Sequence, residues 1–278
     1  MGLILQIIRI ATPYVFAAAG GTIAERSGIV SLGLEGYMLT GACAAAFGSY
    51  YGGNAWSGIL WGALAGAVLA AIHGIATIRF RADQIVSGIA VNILAVGTTR
   101  FALRVAFGSS SNSPRVPGGA SGVLEIAGLL SIVLVAMMLD TTRFGLRLRA
   151  AGEHPEAATA VGISVSRLRY IAVIASGALA GLGGTFLALD QHQFSDEMTA
   201  GRGFIALAAV IFGRWQPFRV GAACLLFAAA EALEINLQGT SAIPSQFVAM
   251  IPYVLTIVAL AGIVGRSVPP AALGKSGH

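Results

Sequence analysis

Ser121-Gly-Val-Leu-Glu-Ile-Ala-Gly-Leu-Leu-Ser-Ile-Val-Leu-Val-Ala-Met-Met-Leu-Asp140 is a run of 20 residues with one charge, Glu125, before its final aspartate. At about 1.5 Å of rise per residue such a run is long enough to cross the roughly 30 Å hydrocarbon core of a bilayer as one helix. Similar runs recur along the chain. The sequence predicts spans at about 3–23, 30–50, 57–78, 84–106, 121–140, 168–190, 203–213, 218–236 and 247–265. The 203–213 run is too short to cross alone, so it reads as a half-helix or as extending back through Gly203 and Arg202. The expected fold is all-α: a polytopic transmembrane helix bundle of about 8–9 hydrophobic spans, one or more of them broken or short, forming a single domain over residues 1–278.

Composition agrees. Hydrophobic residues make up 56% of the 278 and charged residues 10%, against roughly 25% charged in a soluble domain. Lipid, not water, must therefore face most of the surface. The net charge of +5 lies in short gaps between apolar runs, the pattern of the positive-inside rule, so it does not indicate nucleic acid. The segment from Met1 to Gly21 has no positive region ahead of its apolar run, and its one cation, Arg9, lies within the run. It reads as a retained first span and not as a signal peptide.

The gaps fall into two groups. One holds Arg26, Arg79, Arg81, the arginines between Thr141 and Arg169, Arg214, Arg219, Arg266 and Lys275. The other holds Gly52-Gly-Asn54, the stretch from Gly108 to Gly122, that from Gln191 to Arg202, and that from Asn236 to Gln246. The first group is expected on the cytoplasmic side, with the C-terminus. Counting back puts the N-terminus outside. Gly-Ala-Leu-Ala-Gly occurs at 62–66 and again at 177–181, which fits close helix packing through small residues and hints at an internal repeat.

Four features are candidates for function. In the cytoplasmic gap at about 141–169, Pro155 is suited to open a helix. Glu156 falls in its first turn, alanines 157, 158 and 160 continue it, and Val161-Gly162 ends it. The residues leave a solvated loop helix and a partner-docking helix equally open. Second, Glu35 lies in a membrane-like run among Gly28, Gly33, Gly36 and Gly41. It either caps backbone N–H groups near the cytoplasmic interface or serves a pathway at a broken helix. Third, Gln84, Ser87, Gly88, Val91, Asn92 and Ala95 share a helix face, where Asn92 is interhelical glue or a substrate contact. Arg100 and Arg104, on the same helix, are expected to snorkel to the outer interface. Fourth, Asp190, His192, Asp196 and Glu197 form a wetted outer loop or an acidic mouth that meets a binding protein.

Cys43 and Cys224 read as packing residues. The four histidines are scattered and form no metal pair. No phosphate-binding Gly-x4-Gly-Lys-Ser/Thr loop is present, and Lys275 is the one lysine. Transport powered by ATP would therefore need a separate ATPase chain. No cofactor is expected.

Four stretches together resemble a known family: Glu25-Arg-Ser-Gly-Ile-Val-Ser-Leu-Gly-Leu-Glu-Gly36; Ala82-Asp-Gln-Ile-Val-Ser-Gly-Ile-Ala-Val-Asn92; Ala151-Gly-Glu-His-Pro-Glu-Ala-Ala158 with Ala160-Val-Gly-Ile163; and Gly201-Arg-Gly-Phe-Ile-Ala-Leu-Ala-Ala-Val-Ile-Phe-Gly-Arg-Trp-Gln-Pro217. They are similar to the permease subunits of bacterial ABC importers in the ribose/branched-chain amino acid branch. They look most like the permeases that serve nucleoside-binding lipoproteins of the basic membrane protein type.

The resemblance implies a multi-pass protein of the bacterial cytoplasmic membrane that moves a small polar solute, a nucleoside or a simple sugar, by alternating access and without bond chemistry. It implies an ABC ATPase, an extracytoplasmic substrate-binding protein and a second permease subunit as partners. The end of the chain soon after Arg266 matches the shorter of two paired permeases, hence a heterodimer over a homodimer. It makes Glu153, His154, Pro155, Glu156, Ala157 and Gly162 the coupling helix that docks on the ATPase. Glu35, Gly33, Gly36, Gln84 and Asn92, read above from their own chemistry, are the candidates for the translocation pathway or its gate. Three positions depart from the family pattern: Ser31 and Asp83, where asparagine is usual, and Tyr37, where methionine is usual. The alternative class is a secondary transporter or channel that works without an ATPase. A membrane enzyme would call for clustered acid, histidine or cysteine.

Overall fold

The computed structural model describes residues 2–237 and 268–275. Among them the chain forms α1 (Leu3–Arg26), α2 (Leu34–Gly52), α3 (Ala55–Gly74, continued by a π-helical turn Ile75–Arg79), α4 (Gln84–Phe107), α5 (Ser121–Thr141), α6 (Arg143–Glu153), α7 (Pro155–Ala160), α8 (Val165–Asp190), α9 (Arg202–Phe212) and α10 (Pro217–Leu237). The class is all-α, as expected.

The expected count of eight to nine spans is not shown. Among the described residues six helices are long and apolar enough to cross: α1, α3 with its π-helical turn, α4, α5, α8 and α10. α2 has 19 residues, but Glu35 and its glycines and tyrosines make it too polar to be one of the six. α9, with 11 residues, is the short helix that its sequence suggested. The run at 247–265 lies outside the described residues.

Local chemistry sets the helix ends. Gly53 takes a left-handed φ of +67° to end α2, and the Asn54 side chain then caps α3 by accepting from Ser57 N at 2.9 Å. Asp83 caps α4 through Ile85 N and Val86 N, both at 2.9 Å. An asparagine could accept the same bonds, which makes this departure from the family pattern a conservative one. α4 ends at Gly108, with φ +68°. Thr142 caps α6 through Gly145 N, a helix that the sequence reading did not anticipate.

α8 is the central helix, packed against α1, α2 and α3. The two Gly-Ala-Leu-Ala-Gly copies meet there. A Cβ on Gly177 would lie 2.4 Å from Gly66 O, and one on Gly181 would lie 2.4 Å from Gly62 O. The pentapeptides thus pair with each other across α3 and α8, running in opposite directions. Glycine lets these backbones touch, and in lipid van der Waals contact is a main source of helix association. The outward faces of α3, α4 and α5 carry exposed Trp56, Leu60, Val68, Ile93, Phe101 and Ile126, as lipid-facing surfaces require.

Candidate translocation and coupling sites

Between α1 and α2 the chain leaves helical form and then runs along α4. Val30 N donates to Gln84 Oε1 at 2.8 Å, Asn92 Nδ2 donates to Leu32 O at 2.9 Å, and Gly36 N donates to Asn92 Oδ1 at 2.8 Å. Gln84 and Asn92 are eight residues apart, about 12 Å along the helix. The polar face read from the sequence is therefore the rail that satisfies this irregular backbone. Non-helical chain at membrane depth needs such partners. Glycine is required at the closest points: a Cβ on Gly36 would lie 2.9 Å from Asn92 Oδ1, and one on Gly33 would lie 2.7 Å from the Tyr37 hydroxyl. The two other departures from the family pattern fall here. Ser31 Oγ donates to Gly21 O at 3.3 Å, and Tyr37 stands edge-on to His73.

Glu35 follows directly, and both its oxygens are engaged. Oε1 accepts from Thr199 Oγ1 at 2.6 Å and from Gly201 N at 2.9 Å, and Oε2 accepts from Gly203 N at 2.7 Å. These donors surround the start of α9, where free N–H groups and the helix dipole favour an anion. Gly201 enters α9 with φ +83°, and a Cβ on Gly203 would lie 2.4 Å from Glu35 N. The starts of two helices, α2 and the short α9, are thus joined by one carboxylate. A cavity of about 350 Å³ opens beside the joint, lined in part by Glu35, Gly36, Asn92, Val96, Thr199 and Phe204. That is within the size range of small-molecule sites, roughly 300–1,000 Å³.

A second polar cluster lies at the arginine-rich end. Glu25 is buried. It accepts from Trp215 Nε1 at 2.5 Å and from Ser31 N at 3.2 Å. Arg26 Nε donates to Trp215 O at 2.9 Å, and Arg169 Nε donates to Ser27 O at 3.2 Å. Sequence reasoning gave Glu25, Trp215 and Arg169 no role. The available signal was a carboxylate at the end of an apolar run followed by Arg-Ser-Gly.

The expected coupling segment abuts this cluster. Gly152 packs so closely on α1 that a Cβ would lie 2.1 Å from Arg26 O. Ala272 N donates to Gly152 O at 2.9 Å, and Ala271 N donates to Glu153 Oε2 at 3.2 Å, so the tail 268–275 is fastened to the end of α6. α7 begins at Pro155 and closes through Val161 before Gly162, with φ +83°. It buries Ala158 and exposes His154, Glu156, Ala157, Val161 and Gly162, with Pro155 half-buried.

At the opposite end the acidic residues are paired. Arg9 bonds Asp190 at 2.5 Å, and Arg100 bonds Asp196 at 2.8 Å and Glu197 at 2.7 Å. Arg100, expected to snorkel to the outer interface, is engaged by two carboxylates. Arg202 bonds Glu231 at 3.1 Å, and the Tyr14 hydroxyl donates to the same carboxylate.

Residues 3–260 match the family model described as branched-chain amino acid transport system / permease component. The chain is 40% identical to the guanosine ABC transporter permease protein NupQ of Bacillus subtilis, over 95% of this chain and 92% of the relative. It is 38% identical to the nucleoside ABC transporter permease protein NupC of Lactococcus lactis, over 95% and 92%. It is 33% identical to the putative glucose ABC transporter permease protein TsgC13 of Haloferax volcanii, over 86% and 79%. These likenesses set aside a carrier that works without an ATPase. The chain belongs to the branched-chain amino acid transport system permease family, and it is the non-catalytic, multi-pass membrane component of an ABC importer.

Proposed function

We propose that this chain carries a nucleoside inward through a path beside the α2–α9 joint, as one of two permease subunits. An external binding protein delivers the solute, and an ATPase docks on α7 from the cytoplasmic, arginine-rich side. The observation that carries this reading is the Glu35 carboxylate, which joins the starts of α2 and the short α9 next to the cavity shared with Asn92. Ends of interrupted helices are common sites for polar solutes in transporters, because they present polar backbone where the rest of the bundle is apolar.

A nucleoside is favoured over a sugar because the relatives at 40% and 38% identity are named for guanosine and nucleosides, and the glucose-named one stands at 33%. Glu153, His154, Pro155, Glu156, Ala157 and Gly162 are assigned to ATPase docking because α7 is short, begins rigidly at a proline and exposes most of its surface. Glu35, Gly33, Gly36, Gln84 and Asn92 are assigned to the path or its gate. The test is competition for uptake of labelled guanosine in cells that express the complete importer. Unlabelled nucleosides should compete and glucose should not. Uptake of glucose with no uptake of guanosine would reverse the substrate assignment.

A further inference from the structure

Where α1, α5 and α10 end, the structure holds a polar cavity of about 340 Å³ whose wall includes Arg26, Asp140, Arg149, Trp215 and Phe218. Arg26 is the last residue of α1, Asp140 lies at the end of α5, Phe218 is in the first turn of α10, and Arg149 comes from α6. Three helices of membrane-crossing length stop at this level. The cavity therefore sits at the end of the apolar spans, the level that suits a lipid headgroup.

Its two guanidinium groups are under-used. Arg26 donates through Nε to the Trp215 carbonyl and has no other hydrogen bond among the described residues. Arg149 Nε is buried without a partner among the described residues. Among the described residues Arg149 forms one ion pair, with Asp140 at 3.5 Å, whose side chain is 61% exposed; the contact is too long for a good hydrogen bond and is largely screened by water. Glu153, the other acid that acts on Arg26, accepts from Ala271 N. Two arginines facing one cavity with so little compensation are complementary to an added anion.

The rim is apolar. Leu139, Pro217 and Phe218 contribute to it, and Phe218 is 64% exposed. α6 places Leu146, 63% exposed, between Arg143 and Arg147, an exposed apolar residue among cations as on a helix that lies in the membrane interface.

We propose that this cavity binds the phosphodiester headgroup of an anionic phospholipid, with Arg26 and Arg149 on the phosphate and the acyl chains running past Phe218. A phosphodiester carries one negative charge on two oxygens, which a guanidinium fork matches in a way that a lysine ammonium does not. Basic pockets between helices on the cytoplasmic side are suited to this class of ligand.

The test is binding of labelled phosphatidylglycerol to the purified transport complex, with phosphatidylcholine as the comparison lipid and inorganic phosphate as a competitor. Wild-type complex should prefer phosphatidylglycerol. Arg149→Gln should weaken that binding by roughly tenfold or more, the loss of one hydrogen bond to a charged group. Arg149→Lys keeps the charge without the fork and should fall between, which also serves if the glutamine variant does not fold. Arg143→Gln, the same charge change outside the cavity, should leave binding nearly unchanged. Equal losses for Arg143→Gln and Arg149→Gln would reduce the effect to general surface charge and overturn the proposal. Full competition by millimolar phosphate would make it a free-anion site instead. Loss of the ATPase from Arg149→Gln with unchanged lipid binding would show a protein contact in place of a lipid one.

Discussion

Glu35→Gln changes one heavy atom and tests the joint between the starts of α2 and α9. In the structure Oε1 takes two hydrogen bonds, from Thr199 and Gly201, and Oε2 takes one, from Gly203. An amide has a single acceptor oxygen. If that oxygen stays with Thr199 and Gly201, the new NH2 group faces Gly203 N–H, donor against donor. Leaving one buried N–H without a partner costs about 1–3 kcal/mol, and removing the charge from the α9 start costs up to about 1 kcal/mol more. A total of about 2–3 kcal/mol corresponds to a roughly 30- to 140-fold rise in opening of the first turn of α9. The assay is amide hydrogen exchange read by mass spectrometry on peptides that cover Gly201 and Gly203, in purified complex, beside uptake in cells with matched membrane levels. Exchange should accelerate at these two glycines and stay unchanged in α3 and α8, with reduced uptake. Unchanged protection would mean that the carboxylate does not hold α9. Faster exchange with normal uptake would mean that it holds α9 but that the joint plays no part in transport.

Gly66→Ala puts a Cβ 2.2 Å from Gly177 O, so overpacking should lower stability by about 1–3 kcal/mol and the melting temperature with it; Gly97→Ala, where nothing lies within 4 Å, should be neutral or slightly stabilising. Trp215→Phe removes the indole donor from buried Glu25 and should cost about 1–3 kcal/mol. Glu25→Gln in the same background should not add its full separate cost, and strict additivity in that double-mutant cycle would show that the pair does not interact. Glu156→Arg, on the exposed side of α7, should change stability by less than about 0.5 kcal/mol while ATPase co-purification and uptake both fall. Retention of both would remove α7 from the docking surface.

The membrane class and the short helix at Pro155 were legible because each rests on a local rule. Apolar length gives a span, and a proline followed by an acidic residue gives a helix start. What sequence could not supply is which backbone a polar side chain meets. For Glu35, capping near the cytoplasmic interface was one of two readings. The donors belong to residues 199–203, more than 160 positions away along the chain, where no periodicity could point to them. Asn92 had two readings for the same reason, and its partners Leu32 and Gly36 lie on the neighbouring broken segment. The twin pentapeptides show the converse. As a repeat they suggested duplicated architecture, whereas in space they are the two halves of one contact. α6 was missed because its arginines dilute the apolar signal that marked the other helices.

The chemistry of the contacts separates parts that cannot slide from parts that can. α3 and α8 meet backbone to backbone at Gly62, Gly66, Gly177 and Gly181, and Gly41 and Gly184 bring α2 as close to α8. A displacement of even a fraction of an ångström along such a contact meets hard repulsion, since close-packed interiors are bistable and do not deform smoothly. The segment between α1 and α2, and the start of α9, are held differently. Val30, Leu32, Gly36, Gly201 and Gly203 are fastened through Gln84, Asn92 and Glu35, by hydrogen bonds that a polar solute or water could replace at small net cost. The end of α6 presses on the last residue of α1, Arg26, just ahead of the first of these segments. A push delivered there would therefore meet a rigid core on one side and exchangeable polar joints on the other, and the joints are the part that can yield.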